Sequence, residues 1–273
     1  VNADSMQVYR DLSILTARPG AADLARVPHH LYGFVDGADP YSAGRFARDA
    51  AVAIAAARSE GRLPIVVGGT GLYFMALTEG LAPVPEIPTA VRRHWREEVS
   101  RLGPAAAHAV LSRRDPEMAG RLPATDPQRI ARALEVLDST GRSLAAWQRM
   151  PGTPAIDPGE AVLRLVLDLP REEIQRRCDA RLDAMVAGGA LAEATALARR
   201  GLAPELPVMR AVGLRPLLAC CAGRMALDAA LADARRETRH FVKRQQTWLS
   251  RNMIAWKRVE TIENVEFNDW MFP

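Results

Sequence analysis

The sequence predicts an α/β protein: a mostly parallel sheet flanked by helices, with a small all-helical insertion. Three observations predict this class. Residues 63–67 are apolar on both faces and rich in β-branched side chains, as in the central strand of a parallel sheet. One helical pattern precedes this segment and another follows it, which is the alternation of α/β folds. A later stretch bounded by prolines contains helical patterns only.

The first two predicted strands both lead into polar residues. Residues 1–3 are interpreted as the carboxyl end of one strand, and Asp4 follows directly. Residues 63–67 end in the glycine turn GGTG, which contains Thr70 and leads into a helix. Ligands of parallel sheets bind beyond the carboxyl ends of the strands, so we expect Asp4 and Thr70 at the same edge.

Helices make up most of the remaining core. One begins at Ser42 and carries Phe46, Ala50 and Ile54 on one face, at the spacing of an amphipathic helix. Residues 162–170 resume the sheet. Two helices are expected after them, over about 171–186 and 191–200, each closed by glycine. A long final helix is expected over about 227–253, with an apolar stripe of Val242, Leu249, Met253 and Trp256.

The helical insertion is predicted over residues 89–155, between core segments 1–88 and 156–273. Its helices have start signals at Thr89 and at two Asp-Pro pairs, Asp115-Pro116 and Asp126-Pro127. In the last of these helices Ile130, Leu134 and Leu137 form the expected buried stripe, and Arg129 and Arg132 lie off it.

Composition argues against a membrane protein and against a zinc protein. No apolar run in the 273 residues approaches the ~18 residues needed to span a bilayer, so no membrane partner is expected. The three cysteines lack C-x-x-C spacing and histidine is scarce, so we expect no zinc site and assign no residue of this sequence as a metal ligand. We expect buried free thiols in a reducing cytosol, and a cytoplasmic monomer.

Basic residues are concentrated towards the carboxyl terminus. The net charge is only +4, but residues 235–258 contain eight Lys or Arg against a single Glu. A basic stripe on one element is typical of a nucleic-acid-binding surface. A solvated helix face without a ligand is the alternative interpretation.

Asp4 and Thr70 are candidates for chemistry at the sheet edge. An aspartate there can hold Mg²⁺ through water, accept a proton, or cap the helix that follows. Thr70 can bond a phosphate or a ribose, or it can simply complete the turn.

Arg210 and Arg215 flank a glycine in the segment RAVGLR. Arginine suits bidentate phosphate contact, although two surface arginines on a loop fit the pattern equally well. The neighbouring His29 and His30 would point opposite ways on an extended segment, so both are interpreted as structural.

Six segments occur in the order and spacing of the bacterial tRNA dimethylallyltransferases, also called tRNA isopentenyltransferases. They are NADSMQVYR, VPHHL, PIVVGGTGLYFMAL, DPQRIARALEV, MRAVGLR and KRQQTWLSR. One short motif would mean little, but six in order are highly specific. The chain resembles this family over nearly its whole length, least from Val259 onward, and the resemblance implies a P-loop NTPase-like parallel sheet core.

The resemblance implies transfer of a dimethylallyl group from dimethylallyl diphosphate to N6 of the adenosine just 3′ of the anticodon, position 37 of tRNA. Adenine N6 is a poor nucleophile, so a base must take its proton as the new bond forms. By resemblance Asp4 is that base, Thr70 lines the channel where the substrates meet, and Arg210 contacts the pyrophosphate.

The resemblance also implies a set of contacts with the tRNA anticodon stem-loop. The basic carboxyl-terminal segment, identified from its charge, overlaps this set. The implied residues are Asp4, Ser5, Met6, Gln7, Arg92, Gln128, Arg129, Ile130, Ala131, Arg132, Arg210, Arg215, Lys243, Arg244, Gln245, Trp248 and Arg251.

One expected motif is missing. The family begins with a strand, a P-loop of the form G-x-x-x-x-G-K-[ST] and its helix, whose lysine and hydroxyl serve the diphosphate and Mg²⁺. The sequence contains no such motif. A parallel sheet without that first strand and helix would expose apolar surface. We therefore expect a P-loop segment before Val1 in the natural chain, and the ligand of Mg²⁺ within it.

Three other functions fit parts of the sequence. An adenylate-type isopentenyltransferase would modify a free nucleotide, but it would not need the basic final helix or the arginine-rich insertion. A P-loop nucleotide kinase shares the predicted sheet and likewise needs no RNA-binding surface. An inactive tRNA-binding remnant is supported only by the missing P-loop.

Overall fold

A computed structural model of the chain describes residues 1–263, which divide into two compact units. The first unit combines Val1–Thr78 with the chain from Ala155 onward, and the second spans Glu79–Pro154. The second unit begins before the predicted residue 89 because Ile87, only 3% exposed, packs into its core.

Helices account for most of the regular structure in residues 1–263, whereas the sequence predicted a mostly parallel sheet flanked by helices. The elements are α1 (Ala21–Leu24), α2 (Ala43–Ser59), α3 (Gly71–Thr78), α4 (Thr89–Leu102), α5 (Pro104–Arg114), α6 (Pro116–Arg121), α7 (Pro127–Thr140), α8 (Leu144–Gln148), β1 (Leu165–Leu167), α9 (Arg171–Ala187), α10 (Ala190–Arg199), a 3-10 helix (Pro207–Arg210), α11 (Leu214–Cys221), α12 (Leu227–Asn252) and β2 (Lys257–Val259).

The strand pairings are parallel, as predicted, but they are short. β1 pairs with β2, and Val166 lies opposite Arg258. Two isolated parallel bridges join Asn2 to Val67 and Tyr9 to Val35. The first of these bridges brings the two predicted strand ends together, which positions the candidate site.

The prediction that residues 63–67 form a strand buried on both faces is wrong for the described chain. Leu63, Ile65 and Val67 are 66%, 64% and 58% exposed. The segment is hydrogen-bonded on one side by residues 1–3: Val67 N–H donates to Val1 O at 3.0 Å, and Ala3 N–H donates to Val67 O at 2.8 Å. Within residues 1–263 no second strand covers the other edge.

Most predicted helix starts are confirmed by their caps. Ser42 accepts a hydrogen bond from Arg45 N–H, Asp115 from Met118 N–H and Asp126 from Arg129 N–H. Thr89 is not a cap: it is the first residue of α4, and Pro88 occupies the N-cap position. Sequence analysis did not predict α1, α5, α8 or α11.

Each unit has its own hydrophobic core. Tyr9, Phe46 and Leu214 are fully buried in the first unit. The stripe predicted for α12 is only partly right, because Met253 is buried but the helix buries Ala230 and Ala234 rather than Val242 and Leu249. In the second unit the fully buried aliphatic side chains are Leu111, Ile130, Leu134 and Val136.

The cysteines are free but not buried, which corrects the expectation of buried thiols. Cys178 and Cys220 are partly exposed, and Cys221 is exposed. In the described part of the chain, every helix is too short or too polar to cross a bilayer.

Candidate functional site

Asp4 lies directly after the bridge between Asn2 and Val67, and its carboxylate is fixed through one oxygen. Oδ1 accepts hydrogen bonds from the backbone N–H groups of Met6 at 2.7 Å and Gln7 at 3.2 Å. Within residues 1–263 no group hydrogen-bonds the other oxygen, Oδ2. Asp4 therefore caps its own loop and keeps one oxygen available.

The Asn2 side chain stabilises this loop through hydrogen bonds, a role that sequence analysis missed. Its Oδ1 accepts the Asp4 N–H at 2.8 Å, and its Nδ2 donates to the carbonyls of Asp4 and Leu31, both at 3.0 Å. Asn2 is fully buried and its amide is well satisfied. The only signal in the sequence was a polar residue within an otherwise apolar strand end.

Thr70 lies beside Asp4, as expected for two strand ends at one edge. Its Oγ1 accepts the Ser5 N–H at 2.9 Å and lies 3.2 Å from the Ser5 hydroxyl oxygen. Its backbone N–H donates to Ala3 O at 3.1 Å. The two hydroxyls and the Asp4 carboxylate therefore form one polar cluster.

Close backbone approach explains the glycines of the turn before α3. A Cβ at Gly68 would lie 2.2 Å from the carbonyl carbon of Ala3, and a Cβ at Gly71 would lie 1.9 Å from the Trp248 ring. Both distances are too short for any side chain. The turn can approach both the strand end and α12 only because these positions lack a Cβ.

α12 packs on this turn through two residues that the resemblance assigned to tRNA contact. Gln245 Nε2 donates to Gly69 O at 2.8 Å, and the Trp248 ring covers Gly71. Both side chains are half-buried. The helix is thus linked directly to the turn that carries Thr70.

Two tyrosines report the electrostatic environment of Asp4. Burial raises the pKa of Tyr32, and the negative charge of Asp4 raises it further. Burial also raises the pKa of Tyr73, with additional contributions from Tyr9 and Asp4. The Tyr73 ring stacks on Phe46 with centroids 3.9 Å apart. Burial is thus the main cause of both shifts, and the negative charge of Asp4 adds a smaller contribution to each.

The predicted phosphate-binding arginines lie at the end of the 3-10 helix, Arg210, and in the first turn of α11, Arg215. Arg210 is exposed at the end of the 3-10 helix. Arg215 donates to Glu237 of α12 at 2.9 Å, and Glu237 also accepts the Gly213 N–H at 3.2 Å. This segment is therefore tied to the same helix as the glycine turn.

The predicted tRNA contacts of the insertion all lie in the second unit. Arg92 is half-buried on α4, and Gln128 and Arg129 are exposed in the first turn of α7. Ile130 and Ala131 are 0% and 5% exposed, so their side chains are packed inside the unit, and a tRNA contact at these positions stays a prediction. They belong to the core that supports the exposed positions.

A buried glutamate organises arginines of the second unit, and sequence analysis missed it. Glu135, 2% exposed, lies 3.3 Å from Arg96 and 3.6 Å from Arg132. Burial lowers the pKa of Arg132; Glu135 opposes this effect, and the positive charges of Arg92 and Arg96 add to it. The unit thus holds several like charges close together around one carboxylate.

Some basic residues of α12 form ion pairs, and others are exposed without an ion-pair partner in residues 1–263. Lys243, Arg244 and Arg251 are exposed and make no ion pair within residues 1–263. The ion-paired residues of α12 are Arg235, Arg236 and Arg239, with Asp183, Asp233 and Asp179 as their partners. Arg258, in β2, pairs with Asp168.

A cavity of about 260 Å³ lies between α12 and the ends of β1 and β2. Its polar lining includes Gln245 and the ion pair between Asp168 and Arg258, 2.7 Å long. No group of three or more potential metal-ligating side chains occurs in the described residues.

A glycine turn that leads into a helix beside a carboxylate, in an α/β unit with parallel pairings, is the arrangement found at the ligand-binding edge of α/β enzymes. The sequence profile of a family described as IPP transferase matches residues 7–252. The chain belongs to this family.

Individual relatives agree with the family match. A protein of Parvibaculum lavamentivorans called tRNA dimethylallyltransferase is 50% identical over 268 residues, covering 98% of this chain and 84% of the relative. The crystal structure of full-length tRNA isopentenylpyrophosphate transferase from Bacillus halodurans is 30% identical, with a TM-score of 0.64, and covers 98% of this chain and 82% of that one. A eukaryotic dimethylallyltransferase acting on tRNA is 27% identical with a TM-score of 0.73, covering 91% and 62%.

Proposed function

We propose that this protein transfers the dimethylallyl group of dimethylallyl diphosphate to N6 of the adenosine 3′ of the anticodon in tRNA. The observation that carries the proposal is the Asp4 carboxylate, held through Oδ1 and available at Oδ2, beside Thr70. Family membership and relatives named for this reaction give the observation its context.

Asp4 acts as the general base. The N6 lone pair attacks C1 of the dimethylallyl group, the bond from C1 to the diphosphate oxygen breaks, and diphosphate leaves with the electron pair. Asp4 Oδ2 takes the proton that N6 loses. Because Met6 and Gln7 hold Oδ1, the carboxylate is oriented before the substrate arrives.

Thr70 and Arg210 serve the diphosphate side of the reaction. Thr70 lies within the polar cluster, where its hydroxyl lines the path between donor and acceptor. Arg210 is exposed on a segment tied to α12 through Arg215 and Glu237, and it stabilises the developing negative charge of pyrophosphate.

Mg²⁺ fits this site only as a partner of the bound diphosphate. The protein oxygens gathered here are one carboxylate oxygen of Asp4 and the hydroxyls of Ser5 and Thr70. Mg²⁺ keeps several waters and commonly binds through one or two carboxylates plus substrate phosphates. Such an ion would neutralise the leaving group, and Asp4 would reach it through water.

The acceptor is a tRNA anticodon stem-loop rather than a free nucleotide. The exposed basic residues Lys243, Arg244 and Arg251 fit a phosphate backbone, and Arg129 offers a further charge in the second unit. The target adenine must leave the loop stack, at a cost of a few kcal/mol that pocket contacts offset. We infer a monomer acting in the cytoplasm, where this substrate is found.

The test compares acceptors in one assay. The natural protein is incubated with labelled dimethylallyl diphosphate and Mg²⁺ in three parallel reactions. The acceptors are a stem-loop with adenosine at the target position, the same stem-loop with guanosine at that position, and adenosine monophosphate. We expect isopentenyladenosine in the first reaction only, measured by mass spectrometry of the digested RNA. Modification of the free nucleotide at a similar rate would contradict the proposal.

A further inference from the structure

Glu193 binds a backbone turn instead of facing solvent. Its Oε1 accepts hydrogen bonds from Ser13 N–H at 2.6 Å and Ile14 N–H at 2.9 Å, and its Oε2 accepts Leu15 N–H at 2.8 Å. The Ser13 hydroxyl adds a fourth bond at 3.0 Å. Successive N–H groups that converge on one anion form a backbone nest, and here the anion is a side chain of the protein.

The position of Glu193 in α10 strengthens this contact. It lies in the first turn of the helix, where the helix dipole favours a negative charge. The turn that it holds is closed by Ala17 N–H donating to Ile14 O at 2.9 Å. Ala17 has a φ of 51°, which is unfavourable for a residue with a Cβ, so surrounding contacts must hold the turn in place.

The far side of the same turn holds the Asp4 loop. Gln7 Nε2 donates to the carbonyls of Thr16 at 2.8 Å and Ala17 at 3.2 Å. The backbone N–H of Gln7 donates to Asp4 Oδ1. A continuous series of hydrogen bonds therefore runs from Glu193 through residues 13–17 and Gln7 to Asp4.

We infer that Glu193 is a positioning residue for Asp4, acting through the turn and the Gln7 side chain. The inference rests on the proposed function, because it assigns Glu193 to the reaction for which Asp4 is the base. Replacing the Glu193 carboxylate by an amide leaves one oxygen to accept from Ser13 and Ile14 but puts an NH2 donor opposite the Leu15 N–H, and it removes the charge that strengthens all these bonds. The turn therefore relaxes, and the Gln7 amide loses its two fixed carbonyls.

Single-turnover kinetics test the inference with Glu193→Gln and a matched control, Glu172→Gln. Glu172 is exposed in the first turn of α9. With both substrates saturating, we expect the rate constant to fall about tenfold for Glu193→Gln, as for a misplaced catalytic group, and to be unchanged for the control. A loss of folded protein lowers the amplitude but not the rate constant, so an unchanged rate constant would overturn the inference.

A double-mutant cycle with Gln7→Met tests the path. If Glu193 acts through Gln7, the double variant is no slower than the slower single variant. Rate losses that multiply would overturn this path.

Hydrogen exchange gives a readout without substrates. We expect the Met6 and Gln7 amides, as well as those of residues 13–15, to exchange faster in Glu193→Gln than in Glu172→Gln. Faster exchange confined to residues 13–15 would overturn the coupling. Absence of transfer by the unaltered protein would instead contradict the proposed function and leave the exchange result standing.

Discussion

At the scale of single residues, the two oxygens of Asp4 have different surroundings and so separate two roles. Oδ1 accepts two backbone N–H groups and sets the orientation. Oδ2 is left for a proton. Capping and base catalysis, which the sequence offered as alternatives for Asp4, are therefore compatible in one side chain.

The variant Asp4→Asn tests the base. Its amide oxygen can still accept from Met6 and Gln7, so we expect substrate binding to persist while single-turnover transfer falls by about 10² or more. Rates are measured with both substrates saturating, and tRNA affinity is measured separately. A near-normal rate would reduce Asp4 to a cap.

The variant Gly71→Ala tests the close approach of α12. Its Cβ would lie 1.9 Å from the Trp248 ring, so the ring must move, and overpacking of this kind costs about 1–3 kcal/mol. The matched control is Gly120→Ala in α6, where a Cβ meets nothing within 4 Å. Denaturant unfolding should show a loss for the first variant and no loss for the second.

At the scale of elements, α12 packs against the glycine turn through some of its side chains and exposes basic side chains to solvent. Gln245 and Trp248 contact the glycine turn, whereas Lys243 and Arg251 are exposed. If RNA binds these basic residues, as proposed, it binds the helix that packs against the turn carrying Thr70.

Replacing Lys243 and Arg251 with Gln should weaken tRNA binding and flatten its dependence on salt. Each lost phosphate contact should reduce the log–log slope by about 0.7–0.9. Arg236→Gln is the control, because Arg236 already pairs with Asp233 at 2.9 Å. Filter-binding titrations at several salt concentrations give the slope; equal slopes for all variants would mean that the open residues face solvent.

Local signals in the sequence predicted the helices better than the strands. Ser42, Asp115 and Asp126 cap helices through contacts within three residues, so their side chains specify the start. The burial of residues 63–67 depends on strands far away in the chain, and the described chain covers one edge only.

Part of the candidate site was also predictable from short sequence segments. Asp4 and Thr70 follow strand ends, so topology brings them together. Glu193 could not be found, because its partners, residues 13–15, are almost 180 positions away and are backbone groups that leave no mark in composition.

At the scale of the whole molecule, two separate cores divide the chain into two units. The second unit buries Leu111, Ile130, Leu134 and Val136 among its own residues. Its arginines surround Glu135 within the same unit.

We expect residues 79–154 to fold when they are expressed separately. A cooperative thermal transition in helical circular dichroism is the predicted result, because the unit contains its own core. Leu134→Asp should abolish the transition by burying a charge. Exposed Arg129→Gln is the control and should leave it unchanged; a gradual, non-cooperative melt of the unaltered unit would contradict the prediction.

The indole of Trp248 lies against Gly71, one residue from Thr70. Its emission therefore depends on the packing of the turn that carries Thr70, which makes this side chain an optical probe built into the protein. Replacing the other tryptophans with Phe would leave one fluorophore whose signal follows the arrival of donor and tRNA in real time. The residue that forces position 71 to be glycine thus also allows the order of substrate binding to be followed without a label.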